Sequence, residues 1–297
     1  MLHRLTELYT IIDDFCKEYE KDIKRKALVS GTRNTRKRDT KVKLSEILTI
    51  LVIYQSSNIK NFKSFYIFLQ REMKGAFRDL CSYQRFIELT PRALMPLLIL
   101  LNCLYGSCDG TSYADSTKIE VCHIKREKRN KLFKGLAKKS KGTMGWFYGF
   151  KLHIITNKRG ELLNAFFSYA NVDDRQGLIN MCKSLFGDII ADRGYLGKEL
   201  KEKLKAKGIN LITRGRKNMK ADLSLKEQAL LNSRNIIETV IGKLKIQFNL
   251  EHTRHRSICG FMLNILSSLI AYCFSENKPK TEIKYAKNIN KPILAIA

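Results

Sequence analysis

Three acidic residues, far apart in the chain, have the surroundings expected of groups that bind metal ions. Asp192 follows residues 189–191, a short apolar run that is typical of a buried strand. Asp115 lies in another predicted strand, and Glu238 lies in a predicted helix. Three carboxylates that meet repel one another unless cations lie between them, and oxygen ligands of this kind suit Mg²⁺ or Mn²⁺. Two such ions about 4 Å apart activate an attacking water or 3′-hydroxyl and stabilise the leaving oxygen of a phosphodiester.

Asp192 also has a simpler explanation. Aspartate before Arg193 and Gly194 is common in turns that follow strands. A buried carboxylate is costly, however, unless it is paired or coordinates a metal ion. The residues around Asp192 alone leave both explanations open.

The elements that would position these acids lie in the second part of the chain. The apolar pattern predicts three strands in series and then alternating helices and strands: strand 111–124, strands 145–157 and 161–172 joined by a turn at 158–160, helix 175–186, strand 188–192, helix 197–208 and strand 209–215. A basic loop, 125–141, separates the first two strands. This order predicts a mixed α/β sheet. Its first and fourth strands are commonly neighbours, so Asp115 and Asp192 can meet.

Glu238 is predicted to lie in a long helix, residues 224–248. One face of this helix is apolar and is formed by Ile237, Ile241, Leu244 and Phe248. Glu238 lies at the border of that face, and Arg234 and Lys245 lie within about 40° of it at about 100° per residue. Helix geometry allows two interpretations. Arg234 and Glu238 form an ordinary surface pair, or Glu238 reaches the sheet while the two cations hold phosphates.

The net charge favours nucleic acid as the partner. The 297-residue chain has 55 Lys and Arg against 28 Asp and Glu, a formal charge of +27. Binding of nucleic-acid phosphates to a basic surface is favoured because it releases counterions. An anionic membrane is the alternative partner for such a surface. The longest apolar run, residues 93–101, is about half of the ~20 residues that a membrane span needs, and the first 15 residues do not form a signal peptide. We therefore expect a cytoplasmic protein. Its eight cysteines form no CxxC pair, which favours reduced thiols over a zinc site.

The first part of the chain is predicted to be helical and to bind DNA. Apolar spacings of three and four residues recur over residues 1 to about 27, and the helical pattern resumes at residue 44 and continues until the pattern changes after residue 106. Between them lies the basic stretch 30–43, a linker or a phosphate-binding arm. Residues 82–89 are the candidate recognition helix of a helix-turn-helix unit, with Ser82 as N-cap and Tyr83, Gln84 and Arg85 facing DNA. A plain helical bundle explains the same pattern equally well.

Other residues that could take part in catalysis or binding also have a structural explanation. Asp173 and Asp174 precede a predicted helix and are interpreted as its N-cap and first-turn acids rather than as catalytic groups. Trp146 is expected to pack in the core rather than to stack on a base. The polar stretch at residues 251–257 contains two candidate phosphate contacts, Arg254 and Arg256, or is a simple connection.

Several stretches together resemble one protein family. They are YADSTKIEVCHIKRE, GTMGWFYGFKLHIITN, ANVDDRQGL, IIADRGYLGKEL and RNIIETVIGKLKIQFNLEHTRHRS, within residues 110–273. In this order they resemble bacterial DDE transposases, most closely those of insertion-sequence family 982. The resemblance implies an RNase H-like domain whose Asp-Asp-Glu triad falls on Asp115, Asp192 and Glu238. It also implies a Tyr-x2-Arg-x3-Glu-x6-Lys signature, which Arg234, Glu238 and Lys245 match and in which Leu231 replaces the tyrosine.

The resemblance completes the expected function. We expect a helical DNA-binding domain over 1–108, an RNase H-like catalytic domain over 109–277 and a basic tail over 278–297. The protein would bind the terminal inverted repeats of its element as a homodimer in the bacterial cytoplasm, at the nucleoid, without contacting a membrane. Two Mg²⁺ or Mn²⁺ ions, held by the three acids, would support cleavage and strand transfer. The alternatives are a non-catalytic DNA-binding relic and a metal-dependent nuclease without strand transfer.

Overall fold

The computed structural model describes residues 4–29, 40–142, 145–215, 223–252 and 255–281. These residues form helices α1 Leu5–Val29, α2 Leu44–Tyr54, α3 Phe62–Glu72, α4 Tyr83–Leu89, α5 Leu94–Cys103, α6 Asp174–Met181, α7 Lys198–Lys205, α8 Leu225–Asn232, α9 Asn235–Ile246 and α10 Ile258–Cys273. The strands are β1 Thr111–Cys122, β2 Lys138–Gly142, β3 Gly145–Asn157, β4 Leu162–Tyr169, β5 Gly187–Ala191 and β6 Ile209–Thr213. Short 3₁₀ turns lie at Thr90–Ala93, Ile124–Arg129, Cys182–Ser184 and Arg193–Tyr195.

The chain divides into two compact units that alternate along the sequence. The first unit contains Met1–Tyr105, Lys118–Phe150 and Ile241–Asn277. The second unit contains Gly106–Thr117, Lys151–Val240 and Lys278–Ala297. The domain boundaries expected after residues 108 and 277 concern independent folding and stay a prediction.

Helix α2 lies in the core of the first unit. Nine of its eleven residues are buried, because it packs against both α1 and α10. A helix that is apolar on most sides must be covered on most sides. At its end, Gln55 Nε2 donates a hydrogen bond to Oδ1 of Asn264 in α10 at 3.2 Å. The helix near the C-terminus therefore completes the core of the helices near the N-terminus, and the expected helical region is confirmed.

The segment Tyr83–Cys103 has the length and hydropathy of a membrane span, and in the described residues it alone has both. This corrects the expectation that no segment is long enough, because α4, the 3₁₀ turn and α5 continue one another. Core helices of globular proteins have the same property. Leu97, Leu100 and Leu101 are buried, and α5 packs against α10. We therefore interpret Tyr83–Cys103 as a core segment.

The second unit is built on a mixed sheet, as predicted. β4 pairs with β3, and the order continues through β1 and β5 to β6. β1, β5 and β6 are parallel, with Ala114 opposite Ala191 and Ala191 opposite Thr213. Helices α6 and α7 cover an apolar core between them and the sheet that includes Ile155, Leu178, Ile189 and Leu204.

Two local predictions are wrong for identifiable reasons. The basic loop 125–141 contains a 3₁₀ turn and strand β2, whose partner is β3; its sequence, KKSKG, has no apolar alternation to indicate a strand. The single long helix over 224–248 is two helices that meet at Ser233 and Arg234. Ser233 Oγ donates to the carbonyl oxygen of Leu230 at 2.7 Å and lies 2.7 Å from the Tyr113 hydroxyl. A serine hydroxyl that bonds locally in this way competes with the helix ladder.

Candidate active site

Asp115 and Asp192 come together because their strands pair in parallel. Ala114 of β1 lies opposite Ala191 of β5, and each acid is the next residue along the chain. The predicted adjacency of these strands is confirmed. β5 ends at Ala191, and Asp192 begins a 3₁₀ turn with its side chain exposed. The Asp192 carboxylate has no hydrogen-bond or ion-pair partner within the part of the chain that the structure describes, so it is free to bind a ligand.

Arg234 connects Glu238 to Asp115. One guanidinium nitrogen lies 3.4 Å from Oδ2 of Asp115, and another contacts Oε1 of Glu238. The side chains of Arg234 and Asp115 are only 19% and 23% exposed, whereas that of Glu238 is 53% exposed. The surface pair allowed by helix geometry is therefore present, and the same arginine also reaches the sheet. The break between α8 and α9 places Glu238 in the first turn of α9, where the positive end of the helix dipole favours a carboxylate.

Asp115 is held in a strained electrostatic environment. The pKa of its carboxyl is raised from 3.8 to about 6; burial is the largest cause, and the charges of Asp192 and Glu238 contribute to the rise. The backbone N–H of Ser116, which donates to Oδ1 at 2.8 Å, and the nearby Arg234 act in the opposite direction. Both other acids therefore act on Asp115, although they come from different elements. Groups whose pKa is shifted by burial and by specific neighbours are common in active sites.

A fourth acid, Asp174, lies in a network that sequence reasoning missed. Ser116 Oγ donates to Oδ1 of Asp174 at 3.0 Å, and Lys151 Nζ lies 3.1 Å from the same oxygen. Since Ser116 also binds Asp115 through its backbone, Asp174 lies one residue away from the candidate triad. Asp173, by contrast, caps α6 as predicted, because its side chain accepts from the N–H of Arg175 at 2.9 Å. The sequence carries no local signal for this network, because Ser116 lies in β1 and Lys151 lies in β3.

The three acids offer a metal ion only carboxylate oxygens, which are the ligands that Mg²⁺ and Mn²⁺ prefer. Among the described residues, no group of three Asp, Glu, His or Cys side chains is arranged to hold one ion jointly. Arg234 supplies the positive charge between Asp115 and Glu238 instead. Because the pKa of Asp115 remains raised, that charge does not fully offset burial and repulsion. The chemistry of these oxygen ligands suits a divalent cation, although the three acids as the structure describes them do not surround a common ion position.

The other predicted DNA contacts have different surroundings. Lys245 forms an ion pair with Glu251 at 2.5 Å, and Leu231, at the tyrosine position of the family signature, is buried in α8. Arg85 is exposed and pairs with Glu88 at 2.8 Å. Tyr83 is partly covered, with its ring 5.9 Å from that of Tyr66.

Three further predicted contacts complete the set. Ser82 caps α4 by accepting from the N–H of Arg85 at 3.3 Å, which confirms the predicted helix. Gln84 and Arg256 are exposed. Arg254 and most of the basic tail lie outside the described residues. The roles of these residues in DNA binding stay a prediction.

Comparisons with known proteins identify the family. The family model for the transposase DDE domain matches residues 105–258, about half of the chain. No curated protein matches the sequence significantly. Among solved structures, the chain is similar to the piggyBac transposase synaptic complex with hairpin DNA, at 11% identity and a TM-score of 0.50, over 83% of this chain and 70% of that one.

Two structures of Mos1 also match, with lower structural similarity. The Mos1 strand transfer complex has 14% identity and a TM-score of 0.26, over 90% of this chain and 88% of that one. The catalytic domain of Mos1 mariner transposase has 12% identity and a TM-score of 0.24, over 65% and 95%. The likeness to piggyBac transposase agrees with the mixed sheet of the second unit and supports the expected RNase H-like fold. With the family match over residues 105–258, it follows that the chain belongs to the DDE transposase family.

Proposed function

We propose that the protein is the transposase of a bacterial insertion sequence of family 982. It binds the terminal inverted repeats of its element, cleaves the DNA at each end with Mg²⁺ or Mn²⁺ and joins the freed 3′-hydroxyl to target DNA. The observation that carries this proposal is that Asp115 and Asp192 follow the paired residues Ala114 and Ala191, while Arg234 contacts both Asp115 and Glu238. Like charges from three elements raise one another's energy, and such an arrangement is typical of sites that bind cations.

Asp115, Asp192 and Glu238 would hold two ions, which when bound activate the attacking oxygen and stabilise the leaving one. The protein's own contribution is positioning. The N–H of Ser116 fixes Oδ1 of Asp115, and the exposed Asp192 lies where DNA can approach. Glu238 is exposed enough to turn from Arg234 towards the other acids. The guanidinium released by this turn is then available for a phosphate oxygen, a group that its planar fork binds well.

Two groups of residues are proposed to bind DNA. The exposed Gln84 and Arg85, together with Tyr83, would contact the terminal repeats, while Lys245, Arg254 and Arg256 would contact phosphates. The net charge of +27 and the family support DNA as the partner. The similar piggyBac structure is itself a synaptic complex with DNA. Because two ends must be held together for joining, we propose a homodimer on DNA, located at the bacterial nucleoid.

A joining assay tests this proposal. The purified protein is incubated with labelled duplexes that carry the ends of its element and with a plasmid target, in Mg²⁺ or in EDTA. We expect metal-dependent joining of the duplex to the plasmid. Asp192→Asn is expected to reduce joining by more than about 100-fold, since changes to groups that merely orient metal ligands already cost 10- to 100-fold. Glu202→Gln, an exposed change in α7 that removes the same charge, is the matched control and should join normally.

The products distinguish the alternatives. Cut but unjoined DNA would indicate a nuclease, and salt-sensitive binding without cutting in any metal would indicate a DNA-binding relic. If Asp192→Asn loses folding and binding together with cleavage, Asp192 is a structural residue and the assigned site is wrong.

A further inference from the structure

The first unit contains a cleft lined by cations that the proposed chemistry does not use. The cleft has a volume of about 310 Å³, and Arg126, Arg129, Lys131 and His255 are among the residues that line it. Val121 and Leu132 contribute apolar surface. Arg126, Arg129 and Lys131 are exposed, and none of them forms an ion pair with a residue in the described ranges. Three cations that line one cleft favour an anion there.

His255, which lines the same cleft, has a buried nitrogen without a partner among the described residues. Nε2 of His255 is buried and has no hydrogen-bond partner among the described residues. A buried polar atom of this kind costs stability unless water or a ligand pairs with it. An anion that enters between the arginines would bring an oxygen into the cleft that His255 lines.

The basic segment that lines the cleft is held in place by packing in the core of the first unit. Phe133 follows the cations directly and is 2% exposed. Its ring lies 6.1 Å from that of Phe150 and 5.1 Å from that of Phe261 in α10. The Tyr148 hydroxyl donates to the carbonyl oxygen of Phe133 at 3.0 Å. These contacts hold the 3₁₀ turn Ile124–Arg129 and the residues after it against the rest of the unit.

The hairpin of β2 and β3 extends the same basic surface. Lys139 lies 3.8 Å from Glu127 in the 3₁₀ turn and 5.2 Å from the centre of the Trp146 ring. Trp146 is 56% exposed, which contradicts the expectation that it packs in the core. It is also the only tryptophan in the chain. Its fluorescence is therefore a reporter for ligands that bind near the cleft.

We infer that this cleft binds a phosphate of the DNA backbone, at a site separate from the three acids, with Arg126 and Arg129 as the principal contacts. Arginine pairs with phosphate through two parallel hydrogen bonds, and phosphate neutralisation by exposed cations supplies most of the salt-dependent affinity for DNA. This inference rests on DNA being the partner in the proposed function. It adds a binding site that the acidic triad does not require.

The test is the salt dependence of binding to a 30-base-pair duplex in EDTA, so that no chemistry occurs. Each lost phosphate contact reduces the slope of log affinity against log salt by about 0.9. The double variant Arg126→Ala/Arg129→Ala should therefore lose about 1.8 units of slope and about 30-fold in affinity at 0.15 M salt. The variant Arg126→Lys/Arg129→Lys keeps the charge and should retain most of the slope. Lys201→Ala/Lys205→Ala on α7 removes the same charge elsewhere and should change neither quantity.

Two further readouts complete the experiment. Duplex DNA should change the fluorescence of Trp146 in the wild-type protein, and the midpoint of that titration should shift by the same factor in the double alanine variant. Anionic phospholipid vesicles should show no difference between the wild type, Arg126→Ala/Arg129→Ala and Lys201→Ala/Lys205→Ala. The inference is overturned if Arg126→Ala/Arg129→Ala has the same slope of log affinity against log salt as Lys201→Ala/Lys205→Ala. It is also overturned if Arg126→Ala/Arg129→Ala loses vesicle binding but keeps DNA binding.

The result is distinguishable from that of the joining assay. If joining occurs and the slope is unchanged, the cleft inference fails while the transposase proposal stands. If the slope changes but no metal supports cutting or joining, the cleft binds DNA and the proposed chemistry fails. Asp192→Asn should bind DNA with the wild-type slope in either case.

Discussion

The acidic site and the basic cleft hold their charges in opposite ways. In the second unit, Asp115 and Arg234 are largely buried and in contact, and both other acids act on Asp115. In the first unit, Arg126 and Arg129 are exposed and form no ion pair within the described part of the chain. Burial strengthens electrostatic interactions and makes each group depend on its neighbours, whereas exposed cations depend mainly on salt and on their ligand. Changes in the acidic site should therefore alter stability as well as activity, and changes in the cleft should alter binding alone.

The largest effect on stability is expected from Asp115→Asn. Since the pKa of Asp115 is about 6 in the folded protein and 3.8 is its ordinary value, the folded state binds the proton more tightly. Ionisation therefore destabilises the fold progressively between about pH 4 and pH 6, and fully above pH 6. Asparagine removes this cost, so the variant should be more stable by up to about 3 kcal/mol at pH 8 and unchanged at pH 3.5. Urea unfolding in EDTA at both pH values measures the difference.

Asp192→Asn is the control for that experiment. Its side chain is exposed, so its stability should stay within about 0.5 kcal/mol of the wild type at both pH values. A less stable Asp115→Asn variant at pH 8 would mean that Asp115 stabilises the fold as a partner of Arg234, rather than destabilising it through its ionised carboxylate.

Arg234→Gln should be next in magnitude, with a 10- to 100-fold loss of joining and, in Mg²⁺, weaker binding of DNA ends because one proposed phosphate contact is lost. Arg234 touches two of the acids, and its loss raises the pKa of Asp115 further. The activity should therefore require a higher pH than in the wild type. Rates of joining measured from pH 6 to pH 9 test both statements. Arg234→Lys keeps the positive charge but not the planar guanidinium, so it should restore the pH profile more than the rate of joining. An unchanged pH profile in Arg234→Gln would contradict the effect of Arg234 on the pKa of Asp115.

How far the sequence predicted the acidic site depends on how local each signal is. Asp115, Asp192 and the cap at Asp173 followed from strand alternation, strand order and helix-start chemistry, which neighbouring residues determine. The break between α8 and α9 could not be predicted, because it involves Ser233 and Tyr113, 120 residues apart in the sequence. The same limit applies to Asp174, whose partners Ser116 and Lys151 come from β1 and β3.

The basic cleft was missed for a different reason. The composition of residues 125–141 indicates an exposed segment, and most of the segment is exposed. Composition does not predict that Phe133 anchors this segment against Phe150 and Phe261. It also does not predict that β2 of this segment pairs with β3. An exposed charge pattern shows which ligand a surface prefers, but only the fold shows where the charges are held together.

Asp174→Asn should have a smaller effect on stability, a loss of about 1–2 kcal/mol. The substitution weakens the hydrogen bond from Ser116 and leaves Lys151, whose side chain is 18% exposed, without its counter-charge. Asp173→Asn is the matched control, because asparagine caps a helix as well as aspartate does and the ion pair of Asp173 with Arg175, which the change also removes, is exposed and contributes little. Urea unfolding of both variants at pH 7.5 gives the comparison. Equal stability of the two would show that the network beside Asp115 contributes no more than an exposed helix cap.

The smallest effect on stability is expected from the cleft itself. Arg126→Ala/Arg129→Ala should change the free energy of unfolding by no more than about 0.5 kcal/mol, because exposed, unpaired side chains contribute little to folding. Removing two repelling cations should stabilise the first unit slightly at low salt, an effect that 0.5 M salt should abolish. Urea unfolding at both salt concentrations measures this. A loss of several kcal/mol would mean that the arginines support the fold, and that the cleft resembles the acidic site in using its charges structurally.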